Sequence, residues 1–398
     1  MTEGEKSNMS TPVNKPRENG TVIILGAGAS FGSKIISPPP IMKNFIKVGL
    51  ELVQHDYTRL WEFLESIGYS LVDLKKGEPN IEVLYSILQN VSSGLWYTNK
   101  WELFSDIGDK FWKILPDEYL ESFIIEVTNY SSVQALNKPC EYHKKLVDGL
   151  VDGDTIISFN YDIIVDIALS ESGKWFEVYG YGFPDGFLLE DNEPYPLDAI
   201  SKITLLKPHG SLNWILGYPP DVPNPSSDFR KEIFGKRAEK SPTIQIIPIE
   251  NCKEDQKSFY GPLMASFVPY AEERDPTLVN NMDLFGGMWR DRYDRAYLIP
   301  PGANKFGDPS IPPEIISTWS HIRKALMMAG KIVCIGYSFP LNDYDFSSLF
   351  RITMAKNKNL QSIQVINPDS SIQEKIKGLS QKANVEYVCN TLEEYVLG

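Results

Sequence analysis

Cysteine is scarce in this chain. The 398 residues hold only Cys140, Cys252, Cys334 and Cys389, no two within about fifty residues of each other. That spacing excludes a C-x-x-C knuckle and a four-cysteine zinc ribbon, so no structural metal is expected. It also argues against a disulfide scaffold and fits a reducing cytosol, so a cytoplasmic location is expected. No run reaches the roughly 18 apolar residues of a membrane span, and no membrane association is expected. The first twenty residues lack the apolar core of a secretory signal and are expected to be a disordered arm, residues 1–20. Basic residues are outnumbered, 39 Lys and Arg against 52 Asp and Glu, for a net charge of −13. Direct nucleic-acid binding usually needs the opposite field.

What is present is ample apolar material. Hydrophobic residues make up 42% and aromatics 12%, enough for a sizeable core. The length allows two or three domains, or one large domain with insertions. Short apolar runs recur along the chain, each ending in a small or polar cluster. Val22–Leu25 runs into Gly26. Thr155–Phe159 runs into Asn160-Tyr161-Asp162, and Ile203–Leu206 into Lys207-Pro208-His209-Gly210. Tyr297–Ile299 runs into Pro300-Pro301-Gly302, Ile332–Ile335 into Gly336-Tyr337-Ser338, and Ile363–Ile366 into Asn367-Pro368-Asp369. Such runs read as buried parallel strands. The expected fold is therefore α/β: a Rossmann-like, mostly parallel sheet with helices on both faces. If the strands lie parallel, their terminal clusters converge where open α/β sheets bind ligands.

Two stretches interrupt this pattern. Residues 41–150 repeat apolar positions at helical spacing and predict a helical insertion. Its tryptophans, Trp61, Trp96, Trp101 and Trp112, are expected in its core. Residues 217–296 are rich in proline and charge and predict a loop-rich insertion. The domain at 21–398 is thus one unit threaded by two insertions.

Gly26-Ala27-Gly28-Ala29-Ser30-Phe31-Gly32 follows the first strand. Glycines there let backbone approach a pyrophosphate. The spacing is one residue longer than the usual dinucleotide fingerprint, and Pro38-Pro39-Pro40 stops any helix soon after it. No second strand with a ribose-binding acid follows, which points away from hydride transfer. Asn160 offers both a donor and an acceptor, suited to a ribose hydroxyl or a water. Asp162 reads either as a polar partner in that site or as an Asx turn starting the next helix. His209 stands on a loop and can take a proton near neutral pH. His55, His143 and His321 are expected at the surface. Asp343 is expected to cap the helix beginning near Tyr344.

Taken together these segments resemble the sirtuin NAD-binding domain. The resemblance is closer still to the sirtuin-like NAD-cleaving domains of bacterial anti-phage defence. It rests on Gly26–Ser30, Ser158–Asp162, Pro208–Ser211, Gly336–Pro340 through Asp343, and Asn367, in the family's order over about residues 21–370. It implies that Gly26, Ala27, Gly28 and Ser30 line the pyrophosphate. Asn160 and His209 match catalytic positions, with Asp162 beside them. Gly336, Ser338 and Asn367 match contacts to the phosphate and adenosine side. The zinc module of protein-deacylating sirtuins is missing, which favours hydrolysis of NAD itself. The resemblance therefore implies an NAD⁺ glycohydrolase, with NAD as substrate and no metal, acting as a defence effector that depletes NAD. The chain length resembles stand-alone sirtuin-like subunits that work with a HerA-type ATPase, so that partner and a homo-oligomer are expected. Two other readings fit the same residues: a non-catalytic NAD or ADP-ribose sensor, and an NAD-dependent protein deacylase.

Overall fold

The computed structural model describes residues 16–33, 38–53, 57–87, 138–183, 187–188, 201–217, 243–247, 296–299, 311–380 and 383–398, with residues 120, 123–129, 132, 135 and 249. Ten strands occur among them: β1 Thr21–Leu25, β2 Thr155–Ser158, β3 Phe187–Leu188, β4 Thr204–Leu206, β5 Gly210–Gly217, β6 Thr243–Ile246, β7 Ala296–Leu298, β8 Lys331–Ile335, β9 Ser362–Ile366 and β10 Asn384–Cys389.

Six strands form one sheet in the order β10-β9-β8-β1-β2-β4. Every pairing in it is parallel. Ile24 faces Ile157 on one side and Cys334 on the other. The central strands β1, β2 and β8 are buried at nearly every position, with polar residues only at their ends, because both faces are covered. Helices Glu141–Asp148, Ile164–Glu171 and Leu392–Leu397 pack together, and Pro313–Met328, Tyr344–Lys356 and Ser371–Ser380 form a second group. With the right-handed crossovers that parallel strands take, the two groups fall on opposite faces. From β1 the chain steps outward to β2 and β4, returns to β8, and steps outward the other way. This is the Rossmann-like order, with its direction reversing between β1 and β8.

The run at Tyr297–Ile299 does not join this sheet. As β7 it pairs antiparallel with β5 in a second sheet of order β3-β6-β5-β7. The reason lies at Gly210, where the chain turns out of β4 and starts β5, so that Leu298 becomes its neighbour rather than Leu206. The sixth parallel strand is instead β10. It lies at the sheet edge and alternates buried and open positions, so it carries no continuous apolar run. β6 falls inside the stretch expected to be a loop-rich insertion; residues 218–242 and 251–295 lie outside the described residues.

The chain is tied to this sheet before β1. Arg17 N–H donates to Gly153 O at 3.2 Å and Asn19 N–H to Met328 O at 3.0 Å, so residues 17–19 of the expected arm are anchored. Residues 1–15 lie outside the described set. The expected helical insertion supplies helices Phe45–Val53, Thr58–Ser66 and Leu71–Lys76. Their core centres on Phe123, edge-on to Phe45, Tyr57 and Trp61. The other three tryptophans named above lie outside the described residues. This apolar cluster also takes in Ile163, Ile164, Ile167, Leu212 and Leu298. The insertion therefore packs on the elements that follow β2 and β4. No described helix is long and apolar enough to cross a membrane.

Candidate functional site

The glycines that end β1 and β8 pack against each other. Gly26 N–H donates to Ile335 O at 3.0 Å and Gly28 N–H to Gly336 O at 3.1 Å. A Cβ on Gly28 would lie 2.8 Å from Gly336 Cα, and one on Gly336 would lie 2.2 Å from Ala29 N. Gly336 also has φ +62°, which side-chain-bearing residues rarely adopt. These glycines are required for one strand-end loop to cross another. The helix after Gly26 is a single turn, Ala27–Phe31, and ends well before Pro38.

Asn160 follows β2 and reaches back over this contact. Its Nδ2 donates to Gly26 O at 3.0 Å and to Ser30 Oγ at 2.8 Å. Flipping the amide would place its oxygen against the Gly26 carbonyl, so the orientation is set. Oδ1 is left buried with no hydrogen-bond partner among the described residues. A buried carbonyl in that state costs about 1–3 kcal/mol. Ser30 also lies near the carboxyl of Asp162, whose Oδ1 accepts from Ile164 N–H at 3.1 Å. Asp162 therefore forms the Asx turn that starts the next helix. Burial pushes its carboxyl above the ordinary value, against the opposing pull of Lys207 and of the Ile164 and Ser30 hydrogen bonds.

His209 sits between β4 and β5. Its Nε2 lies 3.2 Å from Asp343 Oδ1, and the two side chains are only 8% and 7% exposed. Asp343 stands at the N-cap of helix Tyr344–Lys356 but makes no capping bond. Its second oxygen instead accepts from Tyr337 OH at 2.8 Å. Burial and the Asp343 carboxylate hold that phenol well above its usual range. Phe159 stacks on Tyr337 at 4.3 Å between ring centroids and meets the His209 ring edge-on at 5.0 Å. Behind His209, Gly210 has φ +86°, and a Cβ there would lie 2.1 Å from Tyr297 O. His209 O accepts from Ile299 N–H at 2.8 Å. The second sheet thus braces the histidine loop.

Asn367, after β9, is buried but already engaged. Its Nδ2 donates to Tyr337 O at 3.4 Å and its Oδ1 accepts from Asp369 N–H at 3.0 Å. Ser338 is exposed, and its carbonyl accepts from Lys375 Nζ at 3.1 Å. The expected site residues therefore form a chain of contacts along one sheet edge. Asn160 bonds Ser30 directly, and Asp162 lies near Ser30. His209 connects through Asp343 and Tyr337, and Asn367 through Tyr337.

Among the described residues, no group of three or more His, Cys, Asp or Glu side chains could together hold a metal ion. His143, expected at the surface, is fully buried. Its Nδ1 lies 3.2 Å from Cys140 Sγ, which also donates to Ser33 O. Burial drives its pKa down to about 4. His143 lies three and four residues before the buried Leu146 and Val147, so the helical spacing itself places it on the inward face. His321 is half-buried, and His55 lies outside the described residues. Tyr337 and the pairing role of Asp343 were not foreseen. A Tyr six residues before an Asp, across a strand-end turn, was the only available signal.

No family model matches this chain, and no curated protein matches it.

Proposed function

We propose that this chain is an NAD⁺ glycohydrolase that cleaves NAD⁺ to nicotinamide and ADP-ribose. The observation that carries the reading is the Asn160 carbonyl, aimed and buried without a partner. It stands on the same sheet edge as a His–Asp pair shielded from water. Leaving a buried acceptor unfilled is costly, and a hydroxyl donor from a bound ligand would fill it.

In this reading Asn160 Oδ1 accepts from a ribose hydroxyl or from the attacking water and orients it at the anomeric carbon. The C–N bond to nicotinamide breaks, and its electron pair passes to the pyridinium nitrogen, which becomes neutral. Positive charge builds on the ribose ring, and water adds there. Donation of the His209 Nε2 proton to Asp343 leaves the basic lone pair on Nδ1. His209 then takes a proton from a ribose hydroxyl or the water, and Asp343 stabilises the imidazolium. Low exposure strengthens these dipoles, because water no longer competes. In this reading Gly26, Ala27, Gly28 and Ser30 line the pyrophosphate, with Gly336, Ser338 and Asn367 toward adenosine.

Such a reaction destroys a shared cofactor, so its activity has to be restrained. A homo-oligomer or a HerA-type ATPase partner in anti-phage defence provides that control in this proposal. The test is to incubate the full chain with NAD⁺, alone and with the candidate ATPase, and to quantify nicotinamide. Release that disappears in Asn160→Ala and His209→Ala supports the reading. NAD⁺ binding with no release under either condition replaces it with a sensor role. Acyl-ADP-ribose formed from an acyl-lysine peptide replaces it with deacylation.

A further inference from the structure

The residues two positions either side of His209 are joined to each other. Lys207 is fully buried, and its ammonium donates to Ser211 Oγ at 2.6 Å, to the Asp162 carbonyl at 2.7 Å and to Asp166 Oδ2 at 3.1 Å. Asp166, also buried, accepts from Tyr181 OH. Ser211 Oγ donates to Asn213 Oδ1 at 2.7 Å, and Asn213 Nδ2 donates to Ile247 O at 3.2 Å. Burial and the Asp166 charge hold the Tyr181 phenol protonated as a donor.

This network is an expensive way to fill a core. Taking an ammonium and a carboxylate out of water costs several kcal/mol per ion, and apolar residues of similar volume often serve stability as well or better. What a charge adds is geometry. The Lys207–Ser211 bond closes the base of a five-residue loop with His209 at its apex. Gly210 N–H donating to Lys207 O at 3.1 Å tightens the same loop. The bond to the Asp162 carbonyl reaches the turn that begins at Asn160. One ammonium therefore holds both loops, and Asp166 holds the ammonium from the helix between them.

We infer that Lys207 and Asp166 form a positioning pair that sets His209 relative to Asn160. This rests on the reading of those two residues as the catalytic groups. Neither Lys207 nor Asp166 reaches substrate; they act through the loops they tie together.

The test uses the full chain carrying Lys207→Met with Asp166→Asn, which removes both charges and keeps an acceptor for Tyr181. The single Lys207→Met variant strands a buried carboxylate and is expected to fold poorly. The double variant is expected to keep its melting temperature within a few degrees. Its kcat falls at least about tenfold while KM moves less than about threefold, the pattern of a lost transition-state interaction. Placed in a His209→Ala background, it causes no further loss, because residues acting as a unit are not additive. An unchanged kcat, or a loss that multiplies with that of His209→Ala, overturns the inference. A second readout does not depend on turnover. With ¹⁵N-labelled histidine, the His209 ring signals are assigned by their absence in His209→Ala. They are expected to shift in the double variant, and identical signals would overturn the positioning role. Should the unaltered chain release no nicotinamide, the glycohydrolase reading fails while these signals still decide the pair.

Discussion

Two parts of one sheet edge carry the same signature and use it differently. At β1 and β8, glycine clusters follow apolar strands, and backbone packs on backbone: the N–H groups of Gly26 and Gly28 are spent on the neighbouring strand-end loop. At β2 and β4, polar clusters follow apolar strands, and the space is filled by side chains. There one buried acceptor is left open, and His209 meets Asp343, carried in from beyond β8, with little water. A small residue after a strand can thus mean that two loops must touch, or that chemistry needs room. The first use predicts effects on stability, the second on turnover.

The sharpest break in that comparison sets Gly336→Ala against Asn160→Ala. The added methyl at Gly336 meets backbone at 2.2 Å in a left-handed conformation, so a loss of about 4 kcal/mol or more is expected, measured by denaturant unfolding. Asn160→Ala removes the open acceptor and is expected to leave stability within about 2 kcal/mol while nicotinamide release falls about 10²–10³-fold. A Gly336→Ala chain of normal stability, or an Asn160→Ala chain of normal turnover, would erase the distinction.

The two buried histidines extend it. His143 has a pKa of about 4 in the fold against 6.5 ordinarily, so it is neutral in the fold. Below pH 6.5 the unfolded chain takes a proton that the folded chain refuses. Stability is therefore complete above pH 6.5 and falls as the pH drops toward 4. The difference is worth about 3 kcal/mol at 1.36 kcal/mol per pH unit. Urea unfolding from pH 7 to 4 should show this slope, and His143→Leu should remove it. A slope that survives the substitution assigns it to other groups.

Asp343→Asn acts on the other histidine. The amide keeps a hydrogen bond to Nε2 but no longer stabilises the imidazolium. Turnover is expected to fall about 10–100-fold, with a smaller change in melting temperature than Gly336→Ala gives. Equal turnover would confine Asp343 to bonding Tyr337.

Much of this fold is legible in the residues. Five of the six apolar runs are strands of the parallel sheet, because a strand covered on both faces has to be apolar throughout. β10 is hidden because an edge strand buries alternate positions. β7 pairs elsewhere because pairing depends on where Gly210 turns the chain, which no local pattern records. In the site, Asn160, Asp162 and His209 stand out as polar residues at strand ends. Lys207 does not, since a lysine after an apolar run reads as a surface charge until its partners, Asp166 and Ser211, are brought in by folding. Asp343 reads as a helix cap by position, and only the tertiary fold brings His209 to it.

The smallest effect tests the residue that belongs to both halves of the comparison. Asp162 lies beside Ser30 of the glycine loop and accepts from the Ile164 amide that starts the following helix. Asparagine keeps an acceptor for Ile164 and removes a charge that burial penalises. Because the folded carboxyl titrates above its unfolded value, its ionisation opposes folding at neutral pH, and that opposition fades as the pH falls through the raised pKa. Asp162→Asn is therefore expected to match or slightly exceed the native chain in stability at pH 7, by less than about 1 kcal/mol. The gain should shrink in acid, where the native carboxyl is already neutral. If turnover is also kept, Asp162 serves the turn alone. If turnover falls while stability holds, its charge belongs to the chemistry beside Asn160.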